Sequence, residues 1–275
     1  MRAYHYPSDL TDEQWPLIEA HIPPAPPGGR PRKTDMRAVL DAIFYILRTA
    51  CQRRYLPGDL PPKSTVCRYF DQWRRDGTLD TIHDRLRRKV RAAEKPYHPR
   101  TTASVDSQSV DTTSGGEQRG RDNAKNVDGR KRHIVVDGMG LLLAVLVTAA
   151  SVDDARAAQE LFARLEGQPM GKVTRMFADS KYHNYDLYEW VEDNARWEVV
   201  VISRPEGSKG WVKLPIGWTV ERTFAWLGRC RRLSKDREKG VMSSEAFVKL
   251  AMIQLMLRRL EPSQTDPEFH YRNVA

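Results

Sequence analysis

Cysteine is scarce: only Cys51, Cys67 and Cys230 occur in 275 residues, with no CxxC pair and no zinc spacing. That excludes a disulfide framework and a thiolate metal site, and leaves three reduced thiols. Long apolar runs are absent as well. The longest, LLLAVLVTAA at 141–150, falls short of the roughly 20 residues a membrane helix needs and suits a buried strand instead. The opening MRAYHYPSDL lacks the apolar segment of a signal peptide, so no membrane association and a cytoplasmic location are expected. No internal repeat is visible.

What the chain has in excess is positive charge. Lys and Arg number 45 against 36 Asp and Glu, a net charge of +9. The cations cluster in RRDGTLDTIHDRLRRKVR (74–91), GRKRH (129–133) and GRCRRLSKDREK (228–239). Basic clusters of this kind are the electrostatic footprint of a polyanion, here nucleic acid.

Residues 1–95 read as helical. Thr11 and Gln14 form a capping box before WPLIEAHI. PPAPPGGRPRK (23–33) reads as a linker or loop. Met36, Val39, Leu40, Ile43, Phe44 and Leu47 recur at helical spacing and make one apolar face. After the turn LPGDLPPK, a helix capped by Ser64 or Thr65 turns Val66, Tyr69, Phe70 and Trp73 inward. Its other face carries Lys63, Arg68, Gln72 and Arg75. Leu79, Ile82, Leu86 and Val90 mark a third segment. Helix, short turn and basic-faced helix fit a helix-turn-helix reader of double-stranded DNA.

From about residue 101 the period changes. TTASVDSQSVD alternates as a strand; RHIVVDGMGLLLAVLVTA reads as two strands joined by a tight Asp137-Gly138 turn. Helix, strand, helix, strand and two helices follow, with 261–275 as a loose tail. The order β-β-β-α-β-α-β-α-α implies a mixed five-stranded sheet of ribonuclease H-like type with flanking helices, residues 96–260.

Asp106 is out of place in a strand, because aspartate competes for backbone hydrogen bonds and gains little from packing. The placement makes sense for a rigidly held metal ligand. In such a sheet the strand ending FADSKY lies beside the first, with Asp179 at its carboxyl end, where ligand chemistry collects. Glu221, in WTVERTFAWL, sits at the edge of a helix face formed by Val220, Phe224 and Leu227. Three carboxylates suit hard divalent cations in phosphodiester cleavage.

VDSQSV, GRKRHIVVDGMGLLLAVLVTAASVDD, FADSKY and WTVERTFAWLGRCRRLSKDRE resemble the DDE transposases of bacterial insertion-sequence family five, within the wider four/five superfamily. LTDEQWPLIEAHIP and YLPGDLPPKSTVCRYFDQW resemble the DNA-binding region of that family, so the likeness spans about residues 8–260. The resemblance implies Asp106, Asp179 and Glu221 as catalytic metal ligands for two Mg²⁺ ions, with Mn²⁺ able to substitute. It also implies binding of terminal inverted repeats, cleavage and strand transfer without a Tyr or Ser nucleophile, a homodimer on DNA, and a bacterial, nucleoid-associated setting.

The superfamily lysine seven residues after the glutamate is Gly228 here, which leaves Arg229, Arg232 and Lys235 as replacements. Helical geometry puts Gly228, Arg232 and Lys235 on roughly the same side as Glu221, at i+7, i+11 and i+14. Lys125, Lys131, Arg222 and Arg229 are further phosphate-contact candidates, and Trp211 and Trp218 candidates for base stacking. A DNA-binding regulator with an inactive nuclease half, or a structure-selective nuclease, are the alternatives.

Overall fold

The computed structural model describes residues 5–25, 27–28, 31–94, 101–113, 115–166, 173–202 and 217–262. Contacts divide the chain into two units: Met1–Ile46, Cys51–Ala93 and Ile253–Ala275 form one, Leu47–Ala50 and Glu94–Met252 the other.

The first unit contains α1 (Pro16–Glu19), α2 (Met36–Thr49), α3 (Lys63–Arg75), α4 (Thr78–Ala93) and the end of α9 (Val241–Leu260). The expected capping box forms reciprocally: the Gln14 amide donates to Thr11 Oγ1 at 3.2 Å and the Thr11 amide to Gln14 Oε1 at 3.3 Å. All six apolar positions of α2 are buried, as are Val66, Tyr69, Phe70 and Trp73 of α3 and Leu79, Ile82, Leu86 and Val90 of α4. Helix α3 starts one residue before its expected cap: Pro62 is at the N-cap and no side chain caps it. Residues 253–262, expected to close the catalytic domain and begin a loose tail, group instead with the helical unit. The Gln14 side chain donates to the Glu261 carbonyl at 2.8 Å, Gln254 to Ser8 at 3.3 Å and Arg258 to Pro7 at 3.1 Å.

The second unit is built on β1 (Thr102–Asp111), β2 (Gly120–Asp122), β3 (Val127–Asp137), β4 (Leu142–Ala149), β5 (Arg175–Ala178) and β6 (Glu198–Val201). Strand β3 pairs antiparallel with β1, β2 and β4, whereas β5 lies parallel to β1 and β6 parallel to β5. Leaving out the three-residue β2, this is the expected five-stranded mixed sheet. GRD carries no strand signature; it pairs with the start of β3, and Ser109 of β1 donates to the Asp122 carboxylate.

Helices α5 (Asp154–Ala163) and α6 (Tyr185–Asn194) cover one face, where Ala103, Val105, Val135, Leu161, Phe162, Met176 and Leu187 make the core. Asp153 caps α5, accepting from the amides of Ala155 and Arg156. Arg130, Arg132 and Ile134 alternate onto the other face, toward α7 (Gly217–Gly228), α8 (Arg231–Ser234) and the first part of α9.

The β3–β4 connection is wider than the two-residue turn expected. Asp137 belongs to β3, and its carboxylate folds the next residues by accepting from the amides of Met139 at 2.9 Å and Leu141 at 3.0 Å. Gly140 has φ +78°, and a Cβ there would come within 2.8 Å of Thr223 Oγ1 on α7, so this hairpin tip must be glycine.

Candidate active site

The placement of Asp106 follows from strand parity. Its neighbours Val105 and Ser107 turn toward the α5 face, so Asp106 points to the α7 face, opposite Ile134 across the ladder. The parallel pairing of Ser104 with Phe177, continued two residues, sets Asp106 level with Asp179. Asp179 follows the last residue of β5. Its carboxylate accepts from the Lys181 amide at 3.0 Å and caps the short 3-10 turn Ser180–Tyr182. Asp106 accepts from the Ser107 amide at 2.7 Å.

The charge of Asp179 opposes the ionisation of Asp106. Burial, and then the charge of Asp179, raise the Asp106 pKa to about 6; the Ser107 hydrogen bond and the cations Lys125 and Lys181 act against this. The buried Tyr182 hydroxyl, which has no hydrogen-bond partner among the described residues, is pushed well above its usual value, first by burial and then by the charge of Asp106. Lys181 was not singled out from the sequence. Its signal there was small: a cation two residues after a strand-ending aspartate.

Glu221 lies on the exposed side of α7, with Val220, Phe224 and Leu227 buried as expected. Helix α7 packs on β1 and β3. Even so, no three His, Cys, Asp or Glu side chains among the described residues come close enough together to enclose a metal ion. The carboxylates the sheet brings together are Asp106 and Asp179. That donor set fits a hard divalent cation of the Mg²⁺ kind, which keeps waters and substrate oxygens in its shell and needs one or two protein carboxylates. The raised pKa of Asp106 marks negative charge that the protein itself leaves poorly compensated.

The candidate DNA contacts divide by exposure. Lys63, Arg68, Gln72 and Arg75 lie exposed along α3, and Lys125 and Arg229 are exposed in the second unit. Arg222 is half-buried, its guanidinium 4.4 Å from the Trp218 ring centre and 4.7 Å from that of Trp226, and it donates to the Met139 carbonyl. One face of Trp218 is thereby covered, whereas Trp211 lies outside the described residues.

Two candidates are elsewhere than expected. Lys131 is buried on the α5 face, donating to the Val152 carbonyl at 2.8 Å, with Asp154 at 3.2 Å. Arg232 is buried against the Phe247 ring and paired with Glu238. The continuous helix assumed for Arg232 and Lys235 breaks: α7 ends at Gly228, the Arg229 and Cys230 amides bond three residues back, and α8 starts afresh at Arg231. Neither residue therefore takes its direction from Glu221. Lys235 is half-buried just beyond α8.

Behind the strand, His133 is buried, hydrogen-bonded to Thr148 at 2.9 Å. Burial, with help from Lys131 and against Asp154, pulls its pKa down to about 4. The folded chain therefore resists a proton that the unfolded chain takes up near pH 6.5, and stability falls as pH drops from 6.5 toward 4. His133→Gln removes this dependence. Its stability deficit relative to the parent should shrink by about 2 kcal/mol between pH 7 and pH 5. Parallel urea titrations check this; an unchanged gap would contradict a neutral buried His133.

The mixed sheet with its flanking helices is of ribonuclease H-like class. Residues 97–256 match the family described as "Transposase DDE domain", and residues 10–83 match "Putative transposase of IS4/5 family". The chain belongs to the DDE transposases of IS4/5 type, and its activity is DNA transposition.

It is 32% identical over 144 residues to the "Putative transposase for insertion sequence element IS402" of Burkholderia cepacia, covering 49% of this chain and 67% of the relative. To the "Insertion element IS402 uncharacterized 16.2 kDa protein" of the same organism it is 32% identical over 118 residues, 41% of this chain and 79% of the relative. Among solved structures, a pre-cleavage Mos1 transpososome aligns with 12% identity over 87% of this chain and 80% of that one, at a TM-score of 0.32. A Mos1 paired-end complex with Mn aligns at a TM-score of 0.30, with 14% identity over 90% of this chain and 84% of that one. The fold assignment rests on the sheet itself and on the family match.

Proposed function

We propose that this transposase reads the terminal inverted repeats of its element through the exposed face of α3 and cuts them at Asp106 and Asp179, with Glu221 joining when substrate is bound. What supports the reading is the β1–β5 register, which brings Asp106 level with Asp179, together with the burial that disfavours the charge of Asp106. Membership of the family brings dependence on a divalent metal; the finer proposal is two Mg²⁺ ions, replaceable by Mn²⁺. Bound there, such ions would activate the attacking oxygen and stabilise the leaving one.

The chain's own residues supply the rest. Asp106 on β1 and Asp179 just past the end of β5 are the oxygen donors. Lys125 and Lys181, whose charges reach Asp106, hold backbone phosphates beside it. Water attacks first and frees a 3′ hydroxyl, which then attacks target DNA in line. Because both ends must be cut together, the working form is a homodimer on DNA.

The reader is tested by binding of the full chain to repeat-ended and random duplexes. Gln72→Ala is expected to lower the preference for repeat DNA about tenfold, the range of one lost base-edge contact. Arg75→Ala should weaken both duplexes equally and reduce the salt slope by about 1. An unaltered preference in Gln72→Ala would move recognition off α3.

A further inference from the structure

The segment expected to be a linker lies against the helix proposed to read DNA. Pro23, Pro24, Ala25, Pro31, Arg32, Lys33 and Thr34 form one wall of a cleft of about 450 Å³, and Arg68, Tyr69, Gln72 and Trp73 of α3 form the other. Arg32 pins the segment across its own bend, donating to the Pro23 carbonyl at 2.8 Å. The prolines fix their φ angles, so the wall is stiff without regular secondary structure.

The charge of the cleft is of one sign. Arg32, Lys33 and Arg68 line it, and no carboxylate does among the described residues. The carboxylates nearest in sequence are engaged elsewhere. Asp35 caps α2 through the amides of Arg37 and Ala38, and Asp71 pairs with Arg74. Arg68 lies flat, 4.7 Å from the centre of the Tyr69 ring, which leaves its guanidinium edge available to an acceptor. Lys33 and Arg68 are both exposed. Three cations with no acid among the described lining residues suit a phosphodiester backbone, and the prolines and aromatic rings beside them can pack on its sugars.

We infer that Lys33 and Arg32 form a backbone clamp. The DNA strand that flanks the bases read by α3 lies in this cleft, its phosphates between the Pro-rich wall and Arg68. The inference rests on α3 facing DNA and adds a second, sequence-blind contact element to it. The clamp sets register and affinity, and α3 sets the choice of sequence.

The test is a salt titration of full-chain binding to repeat-ended and random duplexes. Lys33→Ala should reduce the slope of log K against log salt by about 1 on both DNAs and leave their affinity ratio unchanged. Lys33→Arg should restore the slope. Arg32→Ala/Lys33→Ala should reduce it by about 2. These side chains are exposed, so unchanged thermal melting separates lost contact from lost fold. Parental slopes in both Ala variants, with Gln72→Ala still losing preference, overturn the clamp and leave α3 as the reader. Parental behaviour in all of them, Gln72→Ala included, overturns the α3 reading itself. A changed affinity ratio in Lys33→Ala would make Lys33 a base contact and also overturn the clamp.

Discussion

Asp106→Asn is expected to lower strand cleavage by about 10³-fold or more, the several kcal/mol that a charged metal ligand supplies to a phosphodiester transition state. Binding of repeat DNA should hold, because the proposed reader lies on α3. The same change should make the metal-free protein more stable. The carboxyl of Asp106 has its pKa raised to about 6 by burial and by Asp179, so above that pH its ionised form opposes folding. Removing the charge should add about 1–3 kcal/mol at pH 8, read by urea unfolding in chelator. Mg²⁺ should then raise the melting temperature of the parent and leave that of the variant unmoved. Cleavage at the parental rate would remove Asp106 from the site; a Mg²⁺-induced shift equal to the parent's would remove it from the metal shell alone.

Arg130→Met is expected to destabilise the second unit by about 3–5 kcal/mol, the cost of stranding a buried charge. Arg130 is buried at the start of β3. Its guanidinium donates to the carbonyls of Glu117 at 2.6 and 3.0 Å, Glu238 at 2.8 Å and Lys239 at 2.7 Å, with Asp236 at 3.3 Å. Methionine fills similar space and satisfies none of these acceptors. Asp236 stays buried, with Ser244 Oγ and the Glu238 amide still donating to it. The melting temperature should fall by on the order of 10 °C. A loss under about 1 kcal/mol would mean that the ring of carbonyls is satisfied by solvent.

Much of this was legible where a residue's neighbours along the chain decide its fate. The apolar spacing of α2, α3 and α4 fixes their inward faces, because a helix repeats every 3.6 residues whatever it packs on. Asp106 stood out because its period-two setting contradicted its propensity. Lys131 and Arg232 misled for one reason: a cation in a basic run looks solvated. Whether it is buried depends on a carboxylate that folding brings to it, Asp154 from the start of α5 and Glu238 from beyond α8. Extending the Glu221 face to Arg232 and Lys235 assumed an unbroken helix, yet Gly228 already signalled an end. The clamp was invisible because a proline-rich stretch shows no period, and its role comes only from what it lies against.

The grouping of residues 253–262 with the helical unit bears on the order of synthesis. The DNA-reading helices α2 to α4 leave the ribosome early, but Gln254 and Arg258, which hold the carbonyls of Ser8 and Pro7, arrive only after the whole sheet has been made. At bacterial and eukaryotic elongation rates that interval is on the order of ten to thirty seconds. A nascent chain thus carries its basic helices before their packing is complete, and a product truncated before α9 is not a smaller DNA-binding protein but an unfinished one. If α3 reads DNA as proposed, the unit that carries it is completed only after the sheet has been made.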